Sequence, residues 1–185
     1  PIYLQYSWGE SRNSHIRASA VFRDMYLHDK GNNDNTTQFG WGVQLSGHID
    51  ITRWVDIYMN GVYGKGITPY IQDLAGSSYD FAYNPSDPMR MQTMPMWGWQ
   101  AAAQLNILPQ KFWLAGGYSE VHLEKHNGTL SDTQYSRGHY IFANAFYYVT
   151  RNFTVAVEYL HGGRVNASDA KGDANRLSIM AQYSF

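Results

Sequence analysis

The sequence has no cysteine among its 185 residues. Neither a disulfide framework nor thiolate chemistry can be built from it. Charge of one sign is lacking too: 14 Lys and Arg stand against 15 Asp and Glu, without the basic excess of a nucleic-acid binder. No run of about 18 apolar residues occurs, so no transmembrane helix can be drawn. A secretion signal is not seen and residue 1 is proline, so a mature or truncated product is expected. The negative mean hydropathy leaves a membrane barrel open, because a barrel strand turns only every second residue to lipid.

Aromatic residues are abundant, at 16% with 15 Tyr and 6 Trp. Alternation is the dominant pattern. In the closing stretch Leu177, Ile179, Ala181, Tyr183 and Phe185 alternate with Arg176, Ser178, Met180, Gln182 and Ser184. A strand turns successive side chains to opposite faces, so one face here is apolar and the other mostly polar. The same period recurs in Ile2–Trp8, in His15–Leu27, from Phe39 to Ile51, in Val55–Ile67 and in Thr93–Leu108. It weakens over Phe112–Leu123, then returns in Tyr135–Thr150 and from Phe153 to Tyr159.

Polar or tight-turn segments punctuate these runs at Gly9–Ser14, His28–Asn35, Thr52–Arg53, Pro109–Gln110, His126–Thr133, Thr150–Asn152 and Gly162–Asp173. A long Pro/Ser/Asp-rich loop covers Thr68–Arg90, with a helical turn expected at Tyr70–Leu74. Loops of this length are usually functional or disordered. The pattern predicts an all-β chain of about nine antiparallel strands. Its strands, about 10 to 16 residues long, exceed the usual mode of about five or six. Short turns alternate with long loops. A soluble sandwich obeys no such rule, whereas outer-membrane barrels place short turns on the periplasmic side and long loops outside. The chain is therefore expected to be one antiparallel transmembrane β-barrel domain over residues 1–185, in a bacterial outer membrane.

An odd strand count would make the first and last strands parallel, which an even-stranded antiparallel barrel forbids. Either one strand is miscounted or the chain is the C-terminal portion of a larger barrel. The second reading is preferred.

Strand parity assigns Arg17, Arg23, Gln38, Gln44, His48, Asp50, Asp56, Asn60, Gln104, Asn144, Glu158 and Arg176 to one face, opposite a face that is almost uncharged over the same strands. Charge facing lipid near the midplane costs about 2–4 kcal/mol, so these residues are expected to line a lumen. They either shape the field in a water-filled pore or pair across strands in a packed interior. Arginine also offers bidentate sites for carboxylates and phosphates, a pointer to anionic solutes that Asp50, Asp56 and Glu158 temper. Trp8, Trp41, Trp97, Phe153, Tyr183 and Phe185, with Trp54, Trp99, Phe112 and Tyr147, are candidates for aromatic girdles at the two interfaces or for contacts between protomers.

Catalytic signals are poor. His122 and His126 have i,i+4 spacing but fall on a strand and its loop without an HExxH motif, so no metal site is expected. No GxSxG elbow holds a serine. The stretch Asp169–Asn175 lacks the EF-hand pattern. No cofactor is expected.

Glu158-Tyr159-Leu160, Gly162 or Gly163, Arg164, Gly172, Asn175-Arg176 and the closing Gln182-Tyr183-Ser184-Phe185 together resemble the end of the DcaP-like, dicarboxylate-type outer-membrane porins of Gram-negative bacteria. The loop stretch Tyr70-Ile71-Gln72-Asp73-Leu74 is similar to that family as well. The resemblance covers the last third of the chain well and the middle loosely. It implies a trimeric barrel of about sixteen strands that passes small anionic solutes by diffusion, about seven of which would lie outside this chain. Glu158, Arg164 and Arg176 are the positions that match. The family's lumen is richer in arginine than this one.

The expected function is a passive channel for small hydrophilic, including anionic, solutes. Its partners would be outer-membrane lipid, two further copies of the chain, and the barrel-assembly machinery acting on the C-terminal strand with Phe185 as anchor. Nucleic acid is not an expected partner. A non-conducting, partner-binding barrel and a barrel enzyme are the alternatives.

Overall fold

In a computed structural model, residues 1–9, 13–29, 34–84, 87–124 and 130–185 are described. The strands are β1 (Ile2–Trp8), β2 (Ser14–Asp29), β3 (Asp34–Thr52), β4 (Val55–Lys65), β5 (Phe81–Asn84), β6 (Asp87–Thr93), β7 (Pro95–Leu108), β8 (Phe112–Leu123), β9 (Tyr135–Tyr148), β10 (Phe153–Asn166) and β11 (Lys171–Tyr183). Nine of them form one sheet in the order β1-β2-β3-β4-β7-β8-β9-β10-β11, every neighbouring pair antiparallel. β1 and β11 are its two edges and run in the same direction. No helix among the described residues is long and apolar enough to cross a membrane.

Register carries side-chain parity unbroken across the sheet. Leu4 pairs with Ala18, Ala18 with Leu45, Leu45 with Gly61 and Gly61 with Trp99. Farther round, Ala145 pairs with Val157 and Val157 with Ile179. The face these residues share, here the outer face, is apolar and uncovered. On interior strands Leu45 is 57% exposed, Val43 49%, Ile141 47% and Val157 42%. Leaving one such side chain in water forgoes about 1.5–3 kcal/mol, so a face of this size in water would cost tens of kcal/mol.

The buried core lies on the opposite, inner face, where the β4–β7 connection folds back onto the sheet. Ile67, Ile71, Leu74 and Met94 of that connection pack with Val21, Met96, Leu123 and Tyr135 of the strands. Expected as a loop over 68–90, the segment instead holds 3-10 turns at Thr68–Tyr70 and Gln72–Leu74 and the hairpin β5–β6. Two 3-10 turns thus stand where one helical turn was expected.

Glycines admit this segment. A Cβ on Gly64 would collide with Trp41 O and Gly42 Cα, and would sit 2.8 Å from Ile67 Cδ1. Gly66 then turns the chain inward with φ +65°, a conformation that favours glycine.

Two expected loops are mostly strand. β2 and β3 remain paired as far as Asp29 opposite Asp34, although a loop was expected over His28–Asn35. β10 and β11 remain paired as far as Val165 opposite Lys171, although a loop was expected over Gly162–Asp173. Their alternation fades while the backbone ladder continues, because these ends carry polar residues on both faces. The expected polar segments at 9–14, 28–35 and 126–133 each include residues, at 10–12, 30–33 and 126–129, outside the described ones.

Replacing Gly64 with alanine is expected to lower folding stability by about 1–3 kcal/mol, since its Cβ meets backbone that cannot swing aside. At Gly61 on the outer face, nothing lies within 4 Å of where a Cβ would stand, so Gly61→Ala should stay within about 0.5 kcal/mol. Denaturant titration of detergent-folded protein would measure both.

Candidate functional site

The twelve polar residues assigned to a lumen from parity all fall on the inner face. At the short-turn end, Asp50 pairs with Asp56 and Asp56 with Gln104. His48 Nε2 lies 3.0 Å from Asp50 Oδ1, and Asn106 Nδ2 donates to Asp56 Oδ2 at 2.9 Å. Midway up the wall, Ser19 donates to Gln44 Oε1 at 3.1 Å and Gln44 Nε2 donates to Asn60 Oδ1 at 2.9 Å. Arg17 donates from Nε and Nη2 to Gln5 Oε1 and lies over the Tyr3 ring. Across β9–β11, Arg176 Nη2 donates to Glu158 Oε1 at 3.3 Å. Asn144, with its amide oriented to satisfy its neighbours, donates to Glu158 Oε2 at 3.3 Å. Many of these groups therefore bond across strands while facing one side.

Arg23 and Gln38 stand nearer the folded-in segment. The Arg23 guanidinium donates to Gly66 O and lies 3.0 Å from Asp80 Oδ1, which also accepts from Thr68 N at 2.9 Å. Arg23 is thus a latch for the segment rather than a free charge. Gln38 pairs with Met25.

The outer face carries the aromatic candidates in two tiers. Trp8, Phe112, Tyr147, Phe153 and Tyr183 lie toward the short turns, Tyr147 opposite Phe112 and Tyr183 opposite Phe153. Trp41, Trp97 and Trp99 lie toward the loops. Trp54 occupies the β3–β4 turn with Arg53 over its ring, and Phe185 extends past the end of β11.

The outer face is not as free of charge as parity suggested. Glu120, His122, Arg137 and His139 share it, level with Trp97 and Trp99. His122 Nε2 lies 2.6 Å from Glu120 Oε1, and the ring stacks on Trp97 with centroids 3.9 Å apart. These groups sit at the aromatic tier, where a polar tip costs little, and not at mid-strand. His126 lies outside the described residues.

Other inner-face groups emerge only in three dimensions. A cavity of about 610 Å³ separates Tyr70, Gln72 and Asp73 of the folded-in segment from Asn60, Gln100, Tyr140 and Arg176 of the wall. Burial pushes the Asp73 carboxyl above the usual aspartate range. A second hollow of about 600 Å³ runs along β10–β11 between Arg164 and Arg176. Arg164 donates to Asn166 Oδ1 and Thr133 O. Ile67, Ile71, Leu74 and Met94 were the sequence signal for Asp73: a loop with that many apolar residues must fold back onto the wall to bury them.

Nine antiparallel strands, polar on the inner face and apolar on the outer with a segment folded against the inner one, form a sheet of the kind that walls a β-barrel. The fold is shared with the outer membrane channel DcaP of Acinetobacter baumannii, with a TM-score of 0.78 over 99% of this chain at 17% identity. The chain spans about half the length of that protein, at 50% of its chain. No family model matches the sequence, and no curated protein matches it. The resemblance read from the residues is thus met in the fold.

Asp80→Ala should free the folded-in segment at a cost of about 2 kcal/mol, the range of a charge-assisted hydrogen bond, since Arg23 keeps 23% exposure. Faster limited proteolysis between residues 66 and 94 would report it. The raised Asp73 carboxyl means that the folded chain binds more protons than the unfolded one. Its penalty is absent below the unfolded pKa and grows as pH rises through the folded value. Asp73→Asn should therefore stabilise the protein at neutral pH and have no effect in acid, which denaturant titration at the two pH values would show.

Proposed function

We propose that the chain forms part of the wall of a water-filled channel in a bacterial outer membrane, through which small hydrophilic solutes diffuse passively. The observation that carries this reading is the reversed polarity of the sheet: an exposed apolar outer face behind an inner face of hydrogen-bonded polar groups. Lipid is the medium that makes such a face favourable. The strand lengths agree. A tilted strand crosses the hydrocarbon in about 9–11 residues, while β7, β9 and β10 have 14 each and β3 has 19.

In this reading the short turns are periplasmic and β11 is the strand presented to the assembly machinery. Because β1 and β11 carry unpaired backbone that a bilayer would not tolerate, further strands complete the barrel. The folded-in segment from Gly66 to Met94 narrows the lumen, and Asp73 faces Arg176 across the cavity. Arg164, whose hydrogen bonds go to neutral oxygens, and Arg176, so far as its charge exceeds what Glu158 offsets, favour anionic solutes on the loop side. The proposed role is transport without chemistry.

Planar-bilayer recording of the full-length protein tests the reading. Steady ohmic conductance is expected. A correctly folded protein that stays electrically silent would favour the non-conducting alternative. Replacing Arg164 and Arg176 together with Gln should move the reversal potential in a KCl gradient toward cation preference. An unchanged potential would remove both from the ion path.

A further inference from the structure

We propose that His48, Asp50 and Asp56 form a binding site for a divalent first-row transition metal, of the kind Zn²⁺ represents, on the inner face beside the β3–β4 turn. Ligand atoms from the three residues all lie within 4.8 Å of one another. His48 Nε2 is 3.0 Å from Asp50 Oδ1 and 3.9 Å from Asp56 Oδ1. Bonds of about 2.0–2.2 Å from a shared cation to imidazole nitrogen and carboxylate oxygen need small rotations of the two carboxylates to close.

Three further features fit a metal. The first is the ring's tautomer. His48 Nδ1 lies 3.0 Å from Asn13 O, and a carbonyl can only accept, so Nδ1 carries the proton. In the neutral ring this leaves Nε2 as a lone pair aimed at two carboxylates. That atom is buried and has no hydrogen-bond partner of proper geometry among the described residues, despite the 3.0 Å approach. An orphaned nitrogen held by a backbone carbonyl behind it is the usual posture of a metal-binding histidine.

Second, Asp50 and Asp56 are directly opposite in register, a like-charge pairing that is unfavourable unless something compensates it. A cation between them does so. Third, the ligands are held from behind. Asn106 occupies Asp56 Oδ2 and is itself held by Gln104 Nε2 at 2.9 Å, which leaves Oδ1 for the ion. The His48 ring stacks on Tyr58 with centroids 4.5 Å apart and planes 5° from parallel. One nitrogen with two carboxylates suits a borderline metal such as zinc better than magnesium or calcium, which prefer all-oxygen sites. Partial exposure of Asp50, at 34%, leaves a side for entry and for bound water.

Within the proposed channel the site lies at the periplasmic mouth, where a bound cation would cancel the local negative charge. That consequence rests on the channel reading, but the binding does not.

Isothermal titration of the detergent-folded, full-length protein with Zn²⁺ tests the site without a membrane. About one equivalent should bind, and a hundredfold excess of Mg²⁺ or Ca²⁺ should not displace it. Asp56→Asn should weaken binding tenfold or more. His48→Phe, which keeps the stacking ring and removes the nitrogen, should do the same, with β-sheet circular dichroism confirming that each variant is folded. Absence of Zn²⁺ binding by the parent protein would overturn the proposal. Binding that folded His48→Phe retains unchanged would overturn it equally. Channel recordings with and without Zn²⁺ form a separate arm. An electrically silent but zinc-binding protein would sink the channel reading and leave the site standing.

Discussion

Everything in this fold depends on where the backbone hydrogen bonds go. The seven strands between β1 and β11 pair on both sides and satisfy their amides and carbonyls within the ladder, so the side chains on either face are free to match whatever medium they meet. A water-soluble sheet would bury the face that carries Leu45, Val43, Ile141 and Val157. Here that face is uncovered and the polar one turns toward the folded-in segment. Once the ladder is closed to water, the period of two alone sorts the chain into an outside and an inside.

Stability is then unevenly placed. Outer-face residues such as Leu45, Val43, Ile141 and Val157 keep roughly half their surface uncovered, so the packed core is concentrated where the segment after β4 meets the wall. Ile67, Leu74, Met94 and Met96 are fully buried there, and Leu123 nearly so. Glycine makes that contact possible and charge fixes its register. The missing side chains at Gly42 and Gly64 leave room for Ile67, while Asp80 joins the Arg23 guanidinium to Thr68 N. A segment held by a few apolar residues and one ion pair is local in its stability, and it can loosen without disturbing the ladder around it.

The sheet was readable from sequence because its signal is repeated on every strand. Parity placed Arg17, Gln44, Asp56, Glu158 and Arg176 on one face, since a one-residue slip anywhere would have reversed the apolar set as well. Strand ends were less legible. Near the loop end of β2–β3, His28 and Asn35 stand on the face opposite Gln38, and in β10–β11, Lys171 and Asp173 stand on the face opposite Arg164, so the hydrophobic pattern stops where the hydrogen bonding does not. The site was harder still. Asp73 reaches the inner face only because its segment turns inward, and Glu120 and His122 stand at the outer aromatic tier, where alternation predicts an apolar residue. The role of Arg23 was hidden for the same reason: its partner Asp80 is 57 positions away in sequence.

A near-zero net charge does not make the inner face featureless, because partners and not totals decide where its charge stands. Arg23 and Asp80 cancel under the folded-in segment, and Arg176 and Glu158 lie 3.3 Å apart. Arg164 instead spends its hydrogen bonds on an amide and a carbonyl oxygen, so among the described residues its charge has no carboxylate against it. Asp50 and Asp56 share a single imidazole. The cationic group stands near the loop end of β10, and the acidic pair near the turn end of β3 and β4, with β7, β8 and β9 between them in the sheet order. Charges held apart in this way set up a field along the wall even when their sum vanishes, and a cation seated between the two aspartates would remove one end of it.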